Sequence, residues 1–143
     1  MYSVLLPVDR NEGRASAQAN YVVDLPRDAE DISVHLLHVF DDDESLHPRD
    51  DDHRRDPEKL DSVAQVLDFF ERHDIDATVI KENGDPTAAI LEQAESCDAD
   101  AIVLGGRKRS PAGKVLFGSV TMSVLRSTDI PIVVTGDASY SKI

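Results

Sequence analysis

The chain has 143 residues, a formal net charge of -13 and a single cysteine. That length suits one domain with its own core, the 41% hydrophobic content excludes a wholly disordered chain, no apolar run approaches the roughly 20 residues of a membrane span, and a lone Cys97 excludes an internal disulfide and a cysteine-based metal cluster. Asp occurs 20 times against 10 Arg and 5 Lys, which disfavours nucleic acid as a partner and reads as a solvated, halophilic surface, because at about 1 M salt the Debye length is roughly 3 Å and self-repulsion is screened.

Val4–Asp9 is a short, nearly all-apolar run, the signature of a strand buried on both faces of a parallel sheet. Pro7 fits its end better than its middle. The start lacks a basic leader, so a cytoplasmic chain without a membrane partner is expected. A helix follows from Glu12 to Val23, with Ala15, Ala19, Val22 and Val23 as its apolar spacing, and Ile32–Phe40 is the second strand. His35 and His38 stand at odd spacing in it, hence on opposite faces, and read as packed or hydrogen-bonded histidines rather than catalysts. Asp41–Pro57 is polar, with two prolines and no periodicity, and reads as a mobile acidic loop. Its His47 and His53 match no metal-ligand spacing.

Pro57-Glu58 opens a second helix with Val63, Val66, Leu67 and Phe70 on one face. Ile75–Ile80 is a third strand. Asp85 is the expected N-cap and Pro86 the first residue of a helix reaching Cys97, which reads as a small buried residue. Ala99–Leu104 is the fourth strand, Ser119–Ser127 the last helix and Ile132–Val134 the fifth strand, with a frayed tail from Gly136 to Ile143. The pattern βαβαβαβαβ calls for an α/β fold: a single domain over residues 1–143, with an open, five-stranded, mostly parallel sheet and helices on both faces.

In such sheets ligands sit beyond the carboxyl ends of strands where the strand order reverses. That rule places Asp9 and the segment from Gly105 onward together. Between the fourth strand and the last helix stand Arg107, Lys108, Arg109 and Lys114, in a Lys-poor chain, with Gly105 and Gly118-Ser119 at the edges. Cations, glycines and a helix start in this order make a phosphate cradle; a solvated loop balancing an acidic surface is the alternative. The Gly113-Lys114 pair is no Walker A motif, since Lys108 and Val115 stand where Gly and a hydroxyl are needed. Neither a dinucleotide fingerprint nor a nucleophile elbow is present.

These segments resemble the universal stress protein family over nearly the whole chain. The likeness rests on Leu5–Asp9, Leu36–Val39, Gly84-Asp85-Pro86, Ile102–Gly105, Gly118–Thr121 and Asp129–Val134, in that order and spacing. The resemblance implies an adenine nucleotide alpha hydrolase-like fold. It also implies that ATP, with Mg2+ or Mn2+ on its phosphates, acts as a regulatory ligand in a stress response. Asp9 would contact adenine or ribose and Val39 the adenine. Leu104 and Gly105 would lie under ribose and phosphates, while Gly118, Ser119 and Val120 would hold the phosphates. Lys108 stands where ATP-binding members carry their second motif glycine, and Arg10-Asn11 replace the usual Gly-Ser after the aspartate. Homodimers through the C-terminal strand are implied as well. A nucleotide-free dimeric interaction protein and a very slow ATPase are the other readings; no general base for hydrolysis is evident.

Overall fold

A computed structural model describes residues 1–40, 56–106 and 117–136. Five strands form one sheet: β1 (Tyr2–Pro7), β2 (Ile32–Phe40), β3 (Ala77–Asn83), β4 (Ala101–Gly105) and β5 (Ile132–Thr135). Their order is β3-β2-β1-β4-β5 and all four pairings are parallel. β1 pairs with β2 from Tyr2↔Ile32 to Pro7↔Leu37, but with β4 only at Val4↔Ala101 and Leu5↔Ile102. The chain builds outward from β1 in one direction, then reverses at β4. The expected reversal therefore lies between β1 and β4, and there the two strands part toward their carboxyl ends.

The helices are α1 (Glu12–Val23), α2 (Asp61–Arg72), α3 (Pro86–Ser96) and α4 (Ser119–Ser127). α1 and α2 cover one face, where Val4, Leu6, Val103, Ala15, Val22, Val66 and Phe70 form a continuous core. α3 and α4 cover the other, around Leu5, Leu37, Ile90, Ile102, Leu104 and Val124. β1 alternates between these cores, so Val4, Leu5 and Leu6 are all fully buried, which is why the run is apolar without a break.

Some boundaries differ from the sequence reading. β1 begins at Tyr2 and ends at Pro7, leaving Val8-Asp9 beyond its edge, although the Val8 N–H still reaches the Leu37 carbonyl of β2. Pro57-Glu58 belongs to a separate 3-10 turn, Pro57–Lys59, and α2 starts at Asp61. Residues 75–76 precede β3, because the Ile75 N–H caps α2 by donating to the Phe70 carbonyl at 2.9 Å. β3 instead continues through Lys81-Glu82-Asn83, whose backbone pairs with His38-Val39-Phe40; an edge strand needs no apolar alternation to stay in the ladder. α3 stops at Ser96 with Cys97 as its cap, half-buried rather than buried. Burial pushes the Cys97 thiol up, Asp98 adding to it, against the lowering effect of the hydrogen bond with Ser3. Asp85 accepts from the Ala88 N–H at 3.1 Å and Pro86 opens α3, as the sequence indicates.

The described carboxylates are exposed except for half-buried Asp56 and Glu82. Among the described residues no helix is long and apolar enough to cross a membrane.

Candidate functional site

The turn after β1 is tied on three sides. The Val8 N–H donates to the Leu37 carbonyl at 2.8 Å, extending the β1–β2 ladder by one bond. His38 Nδ1 lies 2.8 Å from the Val8 carbonyl, which can only accept, so Nδ1 carries the proton. The His38 ring is buried and packs edge-on against Phe40. From α2, Ser62 Oγ donates to the Asp9 carbonyl at 2.6 Å, and Gln65 Nε2 donates to the Glu12 carbonyl at 2.8 Å.

Asp9 is fixed in its turn. Oδ1 accepts from the Asn11 N–H at 2.8 Å; Oδ2 accepts from Arg14 Nε at 3.0 Å and pairs with Arg14 Nη2 at 2.9 Å. Asn11 caps α1 by accepting from the Arg14 N–H. One turn further, the buried Gln18 amide donates to the carbonyls of Pro7 at 2.6 Å and Val103 at 2.9 Å. Those carbonyls belong to β1 and β4 where the strands part and can no longer satisfy each other, so a side chain does it.

At the end of β4, Gly105 leaves little room for a side chain. An added Cβ would stand 3.1 Å from Arg14 Cβ and 3.3 Å from Gln18 Oε1. The next residue is held by its own N–H, which donates to the Thr135 carbonyl at 2.6 Å. α4 then begins at Ser119 behind the extended Gly118, with no side chain capping it; α1 and α3 are capped by Asn11 and Asp85. Among the described residues no side chain bonds the first-turn amides of α4, which carry the positive end of the helix dipole.

These parts enclose a crevice of about 450 Å³ at the carboxyl end of the sheet. Of the residues singled out in the sequence, Asp9, Val39, Leu104, Gly105 and Val120 line it. Gly118 and Ser119 form the adjoining start of α4 without lining the crevice. Arg107, Lys108, Arg109 and Lys114 lie outside the described residues, as do His47 and His53. The sequence reading missed Arg14, Gln18, His38, Pro86, Ile90 and Thr121, all of which line the crevice. For two of them the signal was there: Arg14 and Gln18 share the helical stripe of Ala15, Ala19 and Val22, so they face the sheet. Among the described lining residues one carboxylate, Asp9, stands against two guanidinium groups, Arg10 and Arg14. The described lining thus carries one net positive charge in a chain of charge -13. Among the described residues no cluster of three His, Cys, Asp or Glu is placed to hold a metal ion.

The model of the Universal stress protein family matches residues 1–136. The stress response protein NhaX of Bacillus subtilis is 31% identical over 72 residues, which is 50% of this chain and 43% of that protein, so the match spans under half of that relative. A universal stress protein structure from Archaeoglobus fulgidus superposes with a TM-score of 0.71 at 23% identity, covering 94% of this chain and 98% of that one. A second structure from Archaeoglobus fulgidus, a universal stress protein in complex with dAMP, gives 0.68 at 18% identity, covering 94% and 98%.

Proposed function

This chain belongs to the universal stress protein family, and we propose that its crevice binds an adenine nucleotide as a regulatory ligand in a stress response. The observation that carries this reading is the convergence, at the β1–β4 parting, of a fixed carboxylate, a glycine backbone and an uncapped helix start. Each element of a nucleotide finds a partner of the right chemistry. The apolar wall of Leu37, Val39 and Ile90 suits a base. Asp9 suits ribose hydroxyls. Leu104, Gly105 and the α4 start at Gly118, Ser119 and Val120 suit phosphates. Arg107, Lys108, Arg109 and Lys114, which follow Gly105 in sequence, would add charge-assisted contacts. The dAMP complex of a structural neighbour supports the same ligand class.

The finer reading takes ATP as the ligand, with Mg2+ or Mn2+ held on its phosphates, in an acidic cytoplasmic protein adapted to salt. It also takes a homodimer, in which the second edge of β5 pairs with its two-fold mate. Ile132, Val133 and Val134 are half-buried in the single chain, which suits an edge that becomes covered. Val133→Asp should then give monomers in sedimentation, and an unchanged profile would remove this interface.

The ligand test is thermal unfolding in about 2 M KCl with millimolar Mg-ATP or AMP. Saturation at about 100 times the dissociation constant stabilises by roughly 2.7 kcal/mol and raises the midpoint by several degrees. Asp9→Asn keeps the side-chain shape while removing its charge, and should shrink that rise. A native midpoint indifferent to both nucleotides would favour the nucleotide-free dimer, and steady ADP release would favour the slow ATPase.

A further inference from the structure

We propose that Arg14 reads the phosphate nearest the nucleoside, holding Asp9 with one edge of its guanidinium and offering the other edge to that phosphate. This rests on the nucleotide reading of the crevice and adds a residue and a ligand requirement to it.

A guanidinium carries five N–H donors in a rigid fork. Arg14 turns its Nε and Nη2 side to a single oxygen, Asp9 Oδ2, at 3.0 and 2.9 Å. Among the described residues that carboxylate is its one charged partner. Among the described residues nothing bonds the Nη1–Nη2 edge, and that edge matches two oxygens of a phosphate in a bidentate contact. The side chain is held where such a contact is useful. Its backbone N–H is bonded to the α1 cap Asn11. Its stem runs along Gly105, with Cβ 3.1 Å and Cδ 3.4 Å from where a Cβ on that glycine would sit. The side chain is only 25% exposed, so part of its desolvation has already occurred in the free protein.

The pair also resolves a conflict of charge. Asp9 is placed to accept from a ribose, yet a bare carboxylate there would repel the phosphate attached to that ribose. With Arg14 between them both anions face a cation. Asp9 has about four lone-pair sites and spends three, on the Asn11 N–H, Arg14 Nε and Arg14 Nη2. One remains for a hydroxyl. The crevice therefore favours a nucleoside phosphate over a nucleoside.

Calorimetric titration of the full chain with adenosine, AMP and ATP tests this, using the native protein, Arg14→Ala and Arg14→Lys, each checked for folding by thermal unfolding. In Arg14→Ala the AMP and ATP dissociation constants should rise about tenfold or more, with adenosine changed by less than about threefold. Arg14→Lys keeps the charge but supplies one point donor group for two anions, so it should fall between native and Arg14→Ala for AMP and match native for adenosine. A parallel loss for adenosine and AMP would reduce Arg14 to a support for Asp9 and overturn the proposal. So would unchanged AMP affinity in both variants. A native protein that binds none of the three ligands would remove the nucleotide reading itself, an outcome distinct from the other two.

Discussion

The two ends of the sheet are built on opposite principles. At the carboxyl end, strands part, a glutamine stands in for missing ladder bonds, and Arg14 clasps the Asp9 carboxylate. At the amino end, α2 and α3 close in tight turns at Asp74 and Asp98, both in the left-handed region at φ 58° and 48°. There the Ile75 and Ala99 N–H groups donate back to Phe70 and Ala94, the six-to-one bond that ends many helices. Glycine is the usual residue at that bend; here carboxylates occupy it. One end stores polar capacity for a ligand, while the other accepts backbone strain and keeps its charge in water.

Substitutions at each end should separate these principles. The largest effect is expected at the carboxyl end. Gln18→Leu leaves the buried Val103 carbonyl and the part-buried Pro7 carbonyl without this donor, at about 1–3 kcal/mol for the buried one and less for the other, so denaturant unfolding should show a loss of about 2–4 kcal/mol with secondary structure kept. Gly105→Ala comes next. Its Cβ meets Arg14 Cβ and Gln18 Oε1 at close range, and overpacking of this kind costs about 1–3 kcal/mol; the nucleotide-induced rise in midpoint should vanish with it. At the amino end the sign reverses. Asp74→Gly and Asp98→Gly should each stabilise by about 0.5–1 kcal/mol by relieving left-handed strain, with more gain at low salt, where each also removes an exposed negative charge. A loss of stability there would show the aspartates to be favoured at these bends.

The smallest effect concerns pH. The Cys97 thiol is raised in the folded protein, chiefly by burial, so folding favours its protonated form. Its contribution is complete below the ordinary thiol range, near pH 8.5, and is lost as pH rises through the folded-state value. Stability of the native chain should therefore decline more between about pH 8 and pH 10 than that of Cys97→Ala, as read by denaturant midpoints.

What the sequence disclosed follows the same division. Strands with both faces buried announce themselves, as Val4-Leu5-Leu6 and Ile102-Val103-Leu104 do, because burial leaves only one residue class. The reversal between β1 and β4, and the meeting of Asp9 with Gly105, follow from the element order. Edge strands hide better: the apolar pattern ends at Ile80, yet the backbone of Lys81-Glu82-Asn83 completes the pairing with β2. The crevice was half legible. Arg14 and Gln18 stand outside the apolar spacing of their helix, since polarity masks a role when the buried neighbour is a carbonyl or a carboxylate rather than an apolar chain. Helix periodicity held that information, although residue type argued against it. His38 was expected to be satisfied, and it is; that its ring also walls the crevice follows from the strand's end, not from its spacing.

The central place of β1 has a consequence for how the chain is made. Among the described strands, β1 precedes all the others and is the one covered by β2 on one edge and β4 on the other. Its partner β2 arrives within about forty residues, but β4 does not begin until Ala101. Until then Tyr2–Pro7 keeps one edge without a partner strand, and its most apolar residues await half of their packing. Such non-local parallel pairing is slow to form, and a nascent chain in that state presents a sticky border to its surroundings. A protein of this architecture depends on β4, nearly a hundred residues further on, to cover the open edge of β1.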